Sequence, residues 1–275
     1  MQLPQTHTLI VHTAGELAYY AFPSFDALPF VRHGFSTRLG GVSTGTYASM
    51  NLSFSRGDDA KAVAENFSRM CAVLEAKPEQ VVLTKQTHTV NVQKVTAADC
   101  GNGVTKPQQY EDVDGLITNE TGVMLCTQHA DCASLFFADP VHRVIALSHS
   151  GWRGTADGMG AVTVRAMCRE YGCDPKDIVA GIGPSIGPCC FEVDAPVYEC
   201  FAAKPVWDES LAVKKGEKYY IDLWELNRRL LLAEGLKPEH ITVTDVCTKC
   251  HPNVFWSHRV TGNERGSLAA FLMMK

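Results

Sequence analysis

The 275-residue chain lacks the features of nucleic-acid-binding and membrane-spanning proteins. It contains no run of consecutive basic residues long enough to form a phosphate-binding block, and its formal net charge is −5. Contacts to nucleic-acid phosphates require clustered lysine and arginine, so we expect no nucleic-acid partner. No apolar segment approaches the roughly 18 residues that cross a bilayer, so we expect no membrane association.

Residues 1–7 lack both the basic and the long apolar segment of a secretory signal, so we expect a cytoplasmic protein. In a reducing compartment the eleven cysteines are buried, metal-binding or reactive rather than disulfide-bonded. Their odd number also excludes complete pairing. The sequence carries no signal for a particular oligomeric state, and we expect a monomer.

Internal repeats, low-complexity tracts and long linkers are also missing, so we predict a single domain over residues 1–275. Helical and strand periodicities are intermixed without strict alternation, which favours a mixed α+β fold with layered sheets over a doubly wound sheet. Strands are predicted at 8–22, 27–35, 80–84, 89–96, 114–119, 122–128, 133–138, 143–149, 177–182, 241–247 and 254–260, and helices at 59–76, 155–171, 194–203 and 222–235.

Three residues far apart in the chain have the side chains of a catalytic zinc site: His88, Cys132 and His149. Two imidazoles and a thiolate bind Zn²⁺ tightly and leave a fourth tetrahedral position open. His149 ends an apolar strand before a Gly-x-x-Gly turn, where a strand end can project a ligand into a cleft. The alternative is that both histidines end strands and Cys132 is a small buried hydrophobe. Spacing alone does not decide between the two.

Asp131, beside Cys132, is a candidate either for orienting a ligand imidazole or for general acid–base catalysis. Arginines and an asparagine in or near glycine-rich loops are candidates for substrate binding, although most such arginines are surface charges. They are Arg38, Asn51, Arg56 and Arg153. Arg38, close to Gly40 and Gly41, is the first choice for binding phosphate through its planar guanidinium.

Two further motifs have weaker chemical interpretations. Cys247-x-x-Cys250-His251 matches covalent haem attachment, which requires an oxidising compartment, and it supplies half of a structural zinc site without a second Cys-x-x-Cys. A packing role or a place at the rim of an active site is favoured over these and over a redox dithiol. The glycine-rich segment 181–187 is interrupted by Pro184, which excludes a dinucleotide fingerprint.

Several of these segments, in this order, resemble the YfiH or laccase-domain-containing family, also called multicopper polyphenol oxidases or peptidoglycan editing factors. The resemblance covers about residues 25–273. It rests on Phe35–Ser43, Tyr47–Leu52, Gln86–His88, Ala130–Cys132, His149–Gly154, Gly183–Gly187, Cys247–Cys250 and Ser257–Arg259. Thr89 stands where the family usually has glycine, and Ser150 where it usually has alanine.

The resemblance implies that His88, Cys132 and His149 bind zinc, with copper as the alternative metal. It implies a mixed α/β domain similar to the catalytic domain of cytotoxic necrotising factor. It also implies phosphorolysis of adenosine, inosine and S-methyl-5′-thioadenosine, and deamination of adenosine, with purine nucleosides and phosphate as the partners. In that scheme Asp131 and Arg38 are the candidate catalytic residues.

Three alternative functions are retained. A hydrolase or amidase that edits peptidoglycan precursors would use Cys132 as nucleophile and His149 as base. A copper-dependent phenol oxidase would need many histidines, typically in His-x-His pairs, and none of the ten histidines forms such a pair. A non-catalytic binding module, with Tyr47 and Trp152 as packing residues, is the third alternative.

Overall fold

Two six-stranded sheets pack face to face in the computed structural model, which describes residues 3–275. The strands are β1 (Ile10–Ala14), β2 (Leu17–Ala21), β3 (Val31–Ser36), β4 (Val81–Leu83), β5 (Val92–Lys94), β6 (Gly115–Thr118), β7 (Met124–His129), β8 (Ala133–Asp139), β9 (Val144–Ser150), β10 (Val179–Ile182), β11 (Glu192–Val193), β12 (Ala212–Lys215), β13 (Lys218–Ile221), β14 (Ile241–Val243) and β15 (Leu268–Met274). The first sheet has the order β1-β2-β3-β15-β7-β4 and the second β14-β10-β8-β9-β6-β5. A small third sheet has the order β11-β13-β12.

The central strands are buried on both faces, which explains why they are continuous apolar runs instead of alternating ones. Successive side chains of a strand point to opposite faces. In β8, Phe136 therefore belongs to the core between the two large sheets, whereas Phe137 belongs to the core between the second sheet and its helices. Leu147 and Ala146 of β9 divide between the same two cores.

Helices cover the outer faces of both large sheets. The helices are α1 (Pro23–Asp26), α2 (Ala60–Val73), α3 (Trp152–Ala156), α4 (Met159–Tyr171), α5 (Ala195–Ala202), α6 (Leu223–Ala233) and α7 (His258–Thr261). Helix α2 packs Phe67 against Phe271 of the first sheet. Helices α4 and α6 bring Val164 and Leu231 to the second sheet. The result is a four-layer arrangement of helix, sheet, sheet and helices.

An aromatic group fills the space between the sheets. The Phe136 ring lies edge-on to Phe22 and Phe25, with ring centroids 5.2 Å and 6.1 Å away. Gly181 of β10 lies directly beneath the Phe22 ring, and a Cβ at Gly181 would come within 2.8 Å of it. The close contact between this ring and the backbone therefore requires glycine at that position.

The predicted mixed α+β fold is confirmed, because the sheets contain both parallel pairs, such as β4 with β7, and antiparallel pairs, such as β8 with β9. None of the helices formed by residues 3–275 is long and apolar enough to span a membrane.

Two sequence-based predictions of secondary structure are wrong, and one long strand was missed. The predicted strand 254–260 is a loop followed by α7, because Val254, Phe255 and Trp256 are buried in the core without joining a sheet. The predicted helix 155–171 is two helices, separated at Gly158 with its φ of 79°. Strand β15 was not predicted, although it is buried throughout and lies between β3 and β7.

Candidate metal centre

His88, Cys132 and His149 come together where the two large sheets meet, with their ligand atoms all within 4.8 Å of one another. Cys132 lies in the short turn that carries the chain from β7 of the first sheet to β8 of the second. His149 lies in β9, directly opposite Ser134 of β8. His88 follows β4, which pairs with β7. The predicted set of three residues is therefore assembled by strands of both sheets.

The carboxylate of Asp114 orients His149. The Nδ1 of His149 donates a hydrogen bond of 2.7 Å to Asp114 Oδ2, and the backbone N–H of His149 donates to the Asp114 carbonyl. Both residues are buried. Because Nδ1 is held by the carboxylate, Nε2 is the nitrogen that remains for a metal ion.

The same carboxylate also organises the loop that carries His88. It accepts hydrogen bonds from the backbone N–H groups of Thr87, His88 and Thr89, at 2.9, 3.2 and 3.2 Å. These bonds hold His88 in a left-handed conformation with a φ of 67°, which is uncommon for residues other than glycine. Burial by itself raises the pKa of Asp114, but the hydrogen bonds from His149 and the loop outweigh it and lower the pKa below its usual value.

Sequence reasoning missed Asp114 and assigned the orienting role to Asp131 as one alternative. Asp131 instead accepts hydrogen bonds from Thr248 Oγ1, Ser257 Oγ and the backbone N–H of Arg259, at 2.7, 2.9 and 2.7 Å. The only sequence signal for Asp114 is its position at the entry of the apolar strand β6.

Cys132 and His149 shift each other's pKa towards the charged forms. Burial alone raises the pKa of the Cys132 thiol, but the His149 and His88 imidazoles outweigh it and lower the pKa to about 6. Burial alone lowers the pKa of His149, but the Cys132 thiolate and Asp114 raise it to about 9. At neutral pH the cysteine is therefore a thiolate, the form that binds metal, and the histidine is an imidazolium.

The three side chains fit a zinc ion by the chemistry of their donors, because imidazole nitrogen and thiolate sulfur are the ligands that zinc prefers. Gly151 keeps the space around them open. A Cβ at Gly151 would lie 2.8 Å from His88 Cδ2 and 3.2 Å from Cys132 Sγ.

A fourth histidine, His129, is adjacent to the cluster, with its ring centroid 5.4 Å from that of His149. Its nitrogens are engaged by Thr127 Oγ1 and the Cys132 carbonyl, at 2.8 and 3.1 Å. Burial lowers its pKa well below the usual value, so the ring is neutral. His129 thus supports the turn that carries Cys132. The sequence analysis did not predict this role for His129.

The cluster opens into a cavity of about 370 Å³. One part of its wall is apolar and aromatic, and another is cationic. The apolar residues are Trp152, Ile186, Phe191 and Leu223, and the cations are Arg56, Arg153, Arg259 and Arg265. A smaller polar cavity of about 190 Å³ also touches His88, Cys132 and His149, and it shares Arg56 and Arg265 with the first.

Arg56 and Arg265 present unused hydrogen-bond donors at this site. Within residues 3–275 the Nε atoms of both are buried without a hydrogen-bond partner. Burial, followed by the charge of Arg56, lowers the pKa of Arg265 to about 10, so the guanidinium remains protonated at neutral pH. Buried cationic donors without partners are suited to bind an anion. Arg265 was not identified from the sequence, because no glycine-rich motif or ligand spacing marks it.

The other predicted residues divide between the cavity and positions away from it. Asp131 and Arg153 line the larger cavity, and the Arg153 guanidinium lies 4.3 Å from the centre of the Trp152 ring. Arg38 and Asn51 line neither cavity at the cluster.

Both of these residues are engaged in structural contacts. The Arg38 guanidinium donates to the carbonyls of Ala48 and Pro252 and lies 3.7 Å from the centre of the Trp256 ring. The buried amide of Asn51 accepts hydrogen bonds from the backbone N–H groups of Ser53 and Ser267.

Replacement of Asp114 by asparagine is expected to weaken zinc binding by about 10- to 100-fold, because the carboxylate orients the His149 imidazole and holds the backbone of the His88 loop. Competition against a chromogenic chelator measures the change. Asp112→Asn is the matched control, since Asp112 accepts hydrogen bonds from the side chains of Thr87, Thr89 and Asn91 in the same loop but makes none with His149. Equal affinities for the two variants would contradict the role of Asp114.

Zinc binding at pH 7.5 is expected to release about one proton per ion, because the His149 imidazolium must lose its Nε2 proton while Cys132 is already a thiolate. At a pH below the Cys132 pKa the thiol releases a second proton on binding, and at a pH above the His149 pKa neither residue releases one. The affinity for zinc therefore rises with pH up to about 9. Calorimetry in two buffers of different ionisation enthalpy counts the protons. A binding enthalpy that is independent of the buffer at pH 7.5 would rule out the charged pair.

Comparison with known proteins yields one family. A family model described as multi-copper polyphenol oxidoreductase laccase matches residues 32–275. The chain is 37% identical over 245 residues to the purine nucleoside phosphorylase YlmD of Bacillus subtilis, with 88% of each chain covered. It is 31% identical over 236 residues to the adenosine deaminase RL5 of an unknown prokaryotic organism, with 84% of this chain and 90% of that one covered.

Solved structures agree with these sequence comparisons. The crystal structure of a hypothetical protein YfiH from Bacillus licheniformis superposes with a TM-score of 0.90 at 30% identity, covering 96% of this chain and 99% of that one. The matched family model and these similarities show that the chain belongs to the laccase-like YfiH family.

Proposed function

We propose that the protein is a zinc-dependent purine nucleoside enzyme that phosphorolyses adenosine, inosine and S-methyl-5′-thioadenosine and deaminates adenosine. Relatives named purine nucleoside phosphorylase and adenosine deaminase support an enzyme of this kind. One structural observation carries the proposal: the candidate ligand cluster opens into a cavity that combines an aromatic wall with two arginines, Arg56 and Arg265, whose buried Nε donors lack hydrogen-bond partners.

The aromatic and apolar wall suits a purine. Trp152, Phe191 and Leu223 offer flat or apolar surface to a planar base, which stacking and burial stabilise. The volume of about 370 Å³ falls within the range of small-molecule sites.

The cationic wall suits phosphate. In phosphorolysis a phosphate oxygen forms a bond to the anomeric carbon of the ribose while the bond from that carbon to the purine nitrogen breaks. Arg56 and Arg265 would hold the phosphate for this attack, because their buried donors lack partners and their charges compensate those of the anion. Arg38 was the choice from the sequence, but its donors are occupied by the Ala48 and Pro252 carbonyls.

Asp131 is our candidate for proton transfer during deamination. It lines the cavity beside Cys132, and its three hydrogen bonds, from Thr248, Ser257 and Arg259, fix the position of its carboxylate. A carboxylate in this position can accept a proton from the attacking water and pass it to the departing ammonia.

His88, Cys132 and His149 would hold the metal. When bound there, zinc supplies a Lewis acid next to the cavity. We propose zinc in preference to copper because phenol oxidation requires several copper ions held by many histidines, whereas this cluster contains two histidines and a thiolate.

The direct test is to incubate the zinc-loaded protein with adenosine, with and without phosphate, and to separate the products by chromatography. Adenine and ribose 1-phosphate should form only with phosphate, and inosine should form without it. His149→Ala should abolish both reactions. Absence of adenine, hypoxanthine and inosine at full zinc occupancy would overturn the proposal.

Replacement of Arg265 by methionine is expected to raise the KM for phosphate by about 10- to 100-fold, because a hydrogen bond to a charged group contributes about 1.5–3 kcal/mol. Adenosine deamination needs no phosphate and serves as the internal control for folding and zinc content. Arg38→Met is the matched arginine variant and should leave the KM for phosphate within about twofold. A raised KM for phosphate in Arg38→Met, with an unchanged KM in Arg265→Met, would show that Arg38 binds phosphate instead.

A cysteine hydrolase is the second candidate, because Asp114, His149 and Cys132 form a carboxylate–imidazole–thiolate series. Metal analysis and alkylation separate the two. One zinc at this site, lost in Cys132→Ala, favours the nucleoside enzyme. A protein that hydrolyses amides when stripped of metal, and loses that activity on alkylation of Cys132, would support the hydrolase instead.

A further inference from the structure

Four cysteines gather at a second place in the fold, apart from the candidate metal centre. The sulfur atoms of Cys189, Cys190, Cys247 and Cys250 all lie within 4.8 Å of one another. Cys250 Sγ is 3.5 Å from the sulfurs of both Cys189 and Cys190. We call this group the four-cysteine cluster. It shares no residue with the set formed by His88, Cys132 and His149.

Sheet topology explains how the cluster forms. Strands β10 and β14 are parallel neighbours in the second sheet, so the loops that follow them leave the same edge. The first loop carries Cys189 and Cys190, and the second carries Cys247 and Cys250. The Cys-x-x-Cys pair recognised in the sequence thus has two partners, which are adjacent residues instead of a second Cys-x-x-Cys.

We propose that the four-cysteine cluster is a structural site for one tetrahedral divalent cation, with zinc as the occupant. Zinc–thiolate bonds of about 2.3 Å in a tetrahedron place the sulfurs roughly 3.8 Å apart. The distances of 3.5 Å, and the upper limit of 4.8 Å for the group, bracket that spacing. Four protein ligands leave no position for substrate, which is the mark of a structural site.

A backbone donor supports the thiolate form of the most buried member. The N–H of Gly187 donates to Cys247 Sγ at 3.2 Å, the type of contact that orients and stabilises a metal-bound thiolate. Gly187 must also remain glycine here, because a Cβ would lie 2.7 Å from the Trp224 ring and 3.3 Å from Cys247 Cβ. An iron–sulfur cluster is a poorer fit, because its bridging sulfides would push the four thiolates further apart.

The two loops that the cation would join also build the wall of the larger cavity. Ile186 and Phe191, on either side of Cys189 and Cys190, both line it. Thr248, next to Cys247, donates to the Asp131 carboxylate and, through its backbone N–H, to the Ser185 carbonyl. A cation at the four-cysteine cluster would therefore fix the two loops that form this part of the cavity wall.

Metal analysis of the full-length protein tests the site without depending on any enzymatic activity. Wild-type protein purified with zinc should hold two ions per chain. Cys250→Ser and Cys132→Ala should each hold one, and the double variant none. Cys200→Ser is the matched control, because Cys200 is an exposed cysteine outside both sets, and it should hold two.

Cobalt replacement identifies the ligands. Cobalt-loaded Cys132→Ala should show strong sulfur-to-cobalt charge transfer and the visible bands of tetrahedral cobalt, and Cys250→Ser should lose that tetrathiolate spectrum. If Cys250→Ser does not fold, mercurial titration of the wild-type thiols should release the second zinc as four cysteines react.

Other outcomes would overturn the site. A wild-type protein with one zinc, which disappears in Cys132→Ala, would show that the four cysteines hold no metal. Fewer than eleven reactive thiols in protein denatured with chelator and without reductant would show a disulfide instead. Because none of these readouts is a nucleoside reaction, failure of the four-cysteine site and failure of the proposed function are distinguishable.

Discussion

The buried carboxylate of Asp114 is the group on which the candidate metal centre depends. It accepts hydrogen bonds from three successive backbone N–H groups of the His88 loop and from Nδ1 of His149. Leaving a buried charge without partners destabilises a fold by about 3–5 kcal/mol. These four hydrogen bonds to Asp114 offset the free energy needed to take its carboxylate out of water. With one group they also hold the imidazole of His149 in β9 and the backbone of the loop that carries His88. Without Asp114, the left-handed backbone of His88 and the orientation of His149 would both lose their support.

The sequence was sufficient to predict the three candidate ligands that the structure brings together, but not the group that orients them. His88, Cys132 and His149 each lie in a distinctive local segment, and the resemblance to a family connected the three. Asp114 lies 26 residues after His88 and 35 before His149, so its role depends on pairings that no local pattern encodes. Most of the strands were predicted because they are buried on both faces and therefore appear as apolar runs. The segment 254–260 also begins with apolar residues, yet Val254, Phe255 and Trp256 are buried in a loop and α7 follows.

The arginines show a related limit of sequence reasoning. Arg38 is close to two glycines in the sequence, as a phosphate-binding residue would be. In the structure its guanidinium lies on the face of the Trp256 ring and donates hydrogen bonds to the carbonyls of Ala48 and Pro252. Arg56 and Arg265 lie far apart in the chain and converge on the cavity with buried, unpaired donors. Their mutual repulsion contributes to the lowered pKa of Arg265. A bound phosphate would relieve that repulsion and supply acceptors for both, so the free site is arranged for an anion.

The four-cysteine cluster and the candidate metal centre are linked through a short path of contacts. Cys247 is followed by Thr248, whose hydroxyl holds the carboxylate of Asp131, and Asp131 is followed by Cys132. The backbone carbonyl of Asp131 also accepts from the N–H of Ile186, in the loop that carries the other two cysteines. Each of the two cysteine-bearing loops is therefore bonded to Asp131, the residue that precedes Cys132 of the candidate metal centre. Asp131 has a left-handed φ of 83°, a conformation that needs support from its surroundings. A cation that joins the two loops would provide it, and would set the position of Cys132 relative to both histidines.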